Sequence, residues 1–169
     1  MDLPKRKPNR LQGYNYASGG GYFVTICTKE KRNLFWSTTV GADSIRPPDA
    51  AALSYSGRCV QDAIEHIPVS YPQCALVKYC IMPNHVHLIL LYEDKADEQT
   101  LPAPTISTVI GQMKRAASKT AGISLWQKSF HDRIIRNDAE YIKIWKYIDE
   151  NPLKWELDCF YRNDRQAGG

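Results

Sequence analysis

From residue 49 to 67 the positions Ala52, Ser56, Cys59, Val60, Ala63, Ile64 and Ile67 return at three- and four-residue steps. That spacing predicts a helix with one apolar face, which Pro68 and Pro72 then stop. Before it, YFVTICT at 22–28 has the aromatic and β-branched content of a strand, with Thr25 and Cys27 alternating against Phe23, Val24 and Ile26. After it come two more strand segments, 74–82 and 85–92, parted only by Pro83-Asn84, a separation that favours an antiparallel hairpin. Ile106, Val109, Ile110 and Met113 keep helical spacing behind a Thr or Ser cap over 105–115. Residues 130–135 read as a further strand, and Asn137 or Asp138 caps a last helix that runs to about Asn151 and is stopped by Pro152. The order strand, helix, strand, strand, helix, strand, helix predicts an α+β fold: a ferredoxin-like, split βαβ antiparallel sheet with helices packed on it.

Composition narrows the setting. The 169 residues fit a basic N-terminal arm over 1–20, a single domain over 21–160 and a tail over 161–169, with no internal repeat and no domain linker. The arm is basic, then glycine-rich at 18–21. A balance of 22 Lys+Arg against 18 Asp+Glu, net +4, admits a polyanionic partner without requiring one. Five cysteines, odd in number and without CxxC spacing, read as reduced thiols packed as small hydrophobes. The start MDLPKRKPNR lacks the apolar core of a signal peptide, and no stretch approaches the ~18 apolar residues of a membrane span. A soluble, cytoplasmic protein is expected.

The chemistry enters with CIMPNHVHLILL at 80–91, which sets two histidines inside a run that otherwise reads as a core strand. Side chains two apart on a strand share a face and lie about 6.6 Å apart along the chain. His85 and His87 therefore look out together while Val86, Leu88 and Leu90 face the core. As neutral imidazoles they can converge on one divalent cation and leave positions open for phosphate oxygens. Equally, His-x-His on a strand can be an ordinary exposed pair. A damaged histidine-triad motif ranks lower, because its third histidine would fall at Ile89.

In the last helix Tyr141, Ile144, Trp145 and Ile148 form the predicted core stripe, at i, i+3, i+4 and i+7. Tyr147 and Asn151 fall about 40° apart on one flank of that stripe, with Glu140 between them in angle. A phenol there can be placed over the histidine face of the sheet. With an ordinary pKa near 10 a tyrosine is a poor nucleophile, and it needs an electrophile activated by a cation, which the histidines could hold with Asn151 adding an oxygen ligand. The plainer alternative leaves Tyr147 at the helix edge, ring on the core and hydroxyl in water.

PNHVH at 83–87 with its apolar run, WQ at 126–127, HDRIIRN at 131–137 and YIDENPLKW at 147–155 resemble the single-tyrosine HUH transposases, in particular the REP-associated tyrosine transposases. LQGYNY at 11–16, GYFVTICT at 21–28 and PTIST at 104–108 carry the likeness over nearly the whole chain. The resemblance implies a metal-dependent enzyme, using Mg²⁺ or Mn²⁺, that nicks and rejoins single-stranded DNA beside a hairpin. It implies His85 and His87 as metal ligands, with Asn151 at the polar position where relatives often carry glutamine. It implies Tyr147 as the nucleophile that forms a 5′-phosphotyrosine link while a 3′-hydroxyl leaves, and it makes a homodimer plausible. Basic and aromatic groups grip single strands, and the candidates here are Lys5, Arg6, Lys7, Arg10, Tyr14, Tyr16, Arg133 and Arg136. The alternatives are a non-catalytic nucleic-acid-binding module on the same fold, and a replication-type nickase of the wider HUH group.

Overall fold

The computed structural model describes residues 20–37, 53–92 and 104–161. The chain runs β1 (Gly20–Cys27), α1 (Tyr55–Glu65), α2 (Ile67–Ser70), β2 (Cys74–Ile81), β3 (His85–Tyr92), α3 (Ile106–Ala121), β4 (His131–Ile135) and α4 (Asp138–Glu150). Short 3-10 segments lie at Lys29–Lys31 and Asn151–Leu157. The four strands make one antiparallel sheet in the order β2-β3-β1-β4, the split βαβ arrangement the sequence predicts.

Local chemistry sets the helix ends. Ser54 Oγ accepts from the Gly57 N–H, Thr105 Oγ1 from Thr108 and Asn137 Oδ1 from Glu140, so each long helix opens on a side-chain cap. Gly122, at φ 72°, closes α3 in the left-handed region. At α1 the expectation needs correction. The helix begins at Tyr55 and already ends at Glu65, while Pro68 sits in the first turn of the separate α2, where its missing N–H leaves no bond unmade. Residues 49–52 of the expected helix lie outside the described residues.

The sheet is covered on both faces. Tyr22, Val24 and Ile26 of β1 and Val86, Leu88 and Leu90 of β3 pack with Val60 and Ile64 of α1 and Ile106, Val109, Ile110 and Met113 of α3. On the other face Cys80, Met82 and Ile89 pack with Ile144 and Ile148 of α4, joined by partly buried Phe23, Ile135 and Tyr141. Two corrections follow. Phe23 belongs to the same face as Thr25, because strand alternation is strict and Tyr22, not Phe23, enters the α1–α3 core. Trp145 leaves the predicted α4 stripe and is 36% exposed, because α4 crosses toward β2, where the Lys78 ammonium stands 4.2 Å over the indole and also pairs with Asp149 at 2.6 Å. A strand buried on both faces also accounts for the unbroken HVHLIL of β3, which gives way at exposed Leu91.

No helix among the described residues is long and apolar enough to cross a membrane. The five cysteines are free, four buried and Cys159 exposed.

A candidate metal and nucleophile site under the last helix

β3 pairs with β1 so that Thr25 stands opposite His87, and with β2 so that Cys80 stands on its other side. The imidazoles point to the α4 face, where they are covered rather than exposed: His85 is 0% and His87 1% accessible. Their Nε2 atoms approach to 3.1 Å, and their Nδ1 atoms are each engaged, His85 by Asn84 Oδ1 and His87 by Thr25 Oγ1, both at 2.9 Å. Burial disfavours the imidazolium and pulls the pKa down to about 2 for His85, with the neighbouring His87 adding to the effect, and to about 3 for His87. Both rings are therefore neutral near pH 7, the form that ligates a cation.

Asp158, which the sequence reading missed, completes the cluster. It follows the Asn151–Leu157 segment, its side chain is 1% accessible, and its Oδ2 lies 3.8 Å from His85 Nε2. Phe160 N–H holds Oδ1 at 2.7 Å while Oδ2 has no hydrogen-bond partner. A buried carboxylate oxygen without a partner is costly unless a cation or water meets it. Two imidazole nitrogens 3.1 Å apart and that oxygen suit one divalent ion with positions left open. His85, His87 and Asp158 are the cluster of ligating groups found among the described residues. No spacing signal in the sequence announces Asp158, since it lies in extended backbone just after the 3-10 segment that follows the helix stop.

α4 places Tyr147 beside this cluster. Its ring centroid is 5.3 Å from that of His87 and 6.1 Å from Phe23, itself stacked on His87 at 5.3 Å. Tyr147 is 43% exposed and lines a cleft of about 300 Å³ with Glu150, Asn151, Lys154, Leu157, Asp158 and Cys159. Partial burial, then the charge of Asp158, push its phenol up to about 12. The phenolate thus needs positive charge nearby, which a cation ligated by His85, His87 and Asp158 would supply. Asn151 lies in the same cleft, 4% exposed, its Nδ2 without a hydrogen-bond partner. A second cleft of about 300 Å³ lies between α1, α2 and α3, and no ligating cluster opens into it among the described residues.

The other expected contacts divide. Lys5, Arg6, Lys7, Arg10, Tyr14 and Tyr16 lie outside the described residues. Arg133, on β4, is exposed and paired with Glu140, whose carboxylate also accepts from the Arg136 N–H. Trp155, not among the expected contacts, is half-buried between Trp36, His85 and Tyr161.

No protein-family model matches the chain. It is similar to an uncharacterized protein of Haemophilus influenzae, 31% identical over 92% of this chain and 93% of that protein. A second relative from the same organism, named "Putative REP-associated tyrosine transposase", is 22% identical over 88% of this chain and 84% of its own length. In fold the chain is similar to the solved structure of a REP-associated tyrosine transposase bound to a REP hairpin, with a TM-score of 0.62 and 20% identity over 88% of this chain and 76% of that one.

Proposed function

We propose that this chain is a REP-associated tyrosine transposase, like the relative and the solved structure it resembles, and that it cuts and rejoins single-stranded DNA beside a hairpin through a covalent link to Tyr147. The observation that supports this reading is the gathering of one half-exposed phenol and a buried carboxylate in one cleft, with two neutral imidazoles packed directly beside them. His85, His87 and Asp158 would hold a divalent cation, Mn²⁺ or Mg²⁺, and Asn151, which lines the same cleft as Asp158, would add an oxygen. Bound there, such an ion supplies Lewis-acid polarisation of a phosphate oxygen and stabilises charge on attacking and leaving oxygens.

The remaining steps belong to the chain's own groups. The Tyr147 oxygen attacks phosphorus and gives up its proton to solvent. As the P–Oη bond forms, the P–O3′ bond breaks and the leaving oxygen is protonated to a 3′-hydroxyl. A 3′-hydroxyl attacking the 5′-phosphotyrosine reverses the exchange and frees Tyr147, so the energy of one phosphodiester passes to the next and no external energy source is required. Phe23 and His87 flank the tyrosine ring and fix its approach. The basic arm and Arg133 and Arg136 supply charge for the DNA backbone.

The test is incubation with a hairpin-bearing oligonucleotide and Mn²⁺, followed by a denaturing gel. A protein–DNA band that Tyr147→Phe abolishes is expected. Binding without any such band, over varied hairpins, would instead establish a non-catalytic module.

A further inference from the structure

We infer that Asn84 sets the proton position on His85 and thereby decides which ring nitrogen that residue presents to a cation. Asn84 is fully buried between the two strands of the hairpin. Its Nδ2 donates to the Phe160 carbonyl at 2.7 Å and to the Lys31 carbonyl at 3.2 Å. Both partners can only accept, so the nitrogen end of the amide must face them. Oδ1 is then turned to His85 Nδ1, 2.9 Å away. That oxygen also only accepts, so Nδ1 must carry the hydrogen, and in a neutral ring the lone pair is left on Nε2. Nε2 is the atom that looks toward His87 and Asp158.

His87 is held differently. Its Nδ1 faces the Thr25 hydroxyl, which can donate or accept. In the ion-free site the His87 Nε2–H donates to His85 Nε2. On cation binding the hydrogen moves to His87 Nδ1 and Thr25 turns to accept it. One histidine is fixed and its neighbour adjusts, so the site changes from a hydrogen-bonded pair to a pair of ligands without moving a ring. The same Asn84 amide ties down the Phe160 carbonyl, two residues beyond Asp158, and so holds the segment that delivers the carboxylate. Asn84 touches none of the reacting atoms and is a positioning residue.

This inference rests on the cation reading of the histidine pair, and the experiment separates the two. In the full chain with ¹⁵N-labelled histidine, two-bond ¹H–¹⁵N spectra taken without metal report the hydrogen on each ring. His85 is expected as the Nδ1–H form. Asn84→Ala should shift it wholly or partly to Nε2–H and weaken Mn²⁺ binding, measured by calorimetry, by about 10- to 100-fold, the usual cost of losing an outer partner of a ligand. Asn84→Asp keeps an acceptor toward Nδ1 but loses both donor bonds, so it should retain the wild-type tautomer even where its melting temperature falls. A purely structural role would lower the melting temperature of both variants and leave the tautomer alone. Wild-type His85 protonated on Nε2, or a tautomer unchanged in Asn84→Ala, overturns the inference, and the wild-type spectrum decides even if Asn84→Ala does not fold. A wild type with the expected tautomer that binds no Mn²⁺ overturns the cation reading and leaves the role of Asn84 standing.

Discussion

Asp158 divides its two oxygens between different tasks. Oδ1 is spent on the Phe160 N–H, in a local turn any aspartate can make, while Oδ2 is left beside His85 with nothing to accept from. Loss of an outer partner typically weakens a metal site by about 10- to 100-fold, so loss of a direct ligand costs at least about tenfold. Asp158→Ala should therefore weaken Mn²⁺ binding by about tenfold or more in a calorimetric titration, and the protein should still fold, since an unpaired buried carboxylate contributes little to stability without its ion. Unaltered affinity would remove Asp158 from the site. At this scale the histidine pair and the tyrosine were legible in the sequence, because strand and helix periodicity carry them. Asp158 was not, because a turn after a helix stop has no period to read.

Among the elements, the start of α1 has the tightest constraint. A Cβ at Gly57 would collide with the Phe35 carbonyl, which is also the acceptor of the Ser54 N–H. Gly57→Ala gains up to about 1 kcal/mol of helix propensity. Against it stands an overpacking cost of roughly 1–3 kcal/mol, at the high end here because the obstacle is backbone that cannot rotate away. Gly57→Ala should lower stability in urea unfolding, with the slope unchanged. The effect bears on function, because the Leu34 and Phe35 N–H groups both donate to the Pro83 carbonyl, next to Asn84. α1 and the histidine hairpin are thus braced through one short segment. The element order, the caps at Thr105 and Asn137 and the hairpin were all legible in sequence. The outward turn of Trp145 was not, since it depends on what the helix meets and not on its own pattern.

For the molecule as a whole, two buried neutral histidines couple folding to pH. Their folded pKa values lie near 2 and 3, below the ordinary 6.5, so the unfolded chain takes up protons that the fold refuses. Stability from this source is complete above pH 6.5 and is lost as pH falls below it, at roughly 3 kcal/mol per pH unit for the pair once both are protonated in the unfolded chain. Ion-free protein should show that steep loss between about pH 6 and 4.5 in urea titrations, and His87→Gln should reduce the slope by about half. A stability flat across that range would mean the pair is solvated.

The sequence by itself determined the strand and helix order, the shared face of His85 and His87 and the flank of α4 that carries Tyr147, because these follow from repeats of two and 3.6 residues within one segment. Only the tertiary structure decided that α4 lies over the histidines and not in solvent, that Asp158 joins them and that Asn84 faces His85 with its oxygen. Those depend on packing and hydrogen-bond closure between segments as much as 76 residues apart, as in the bond from Asn84 to Phe160, and no local pattern encodes such a meeting.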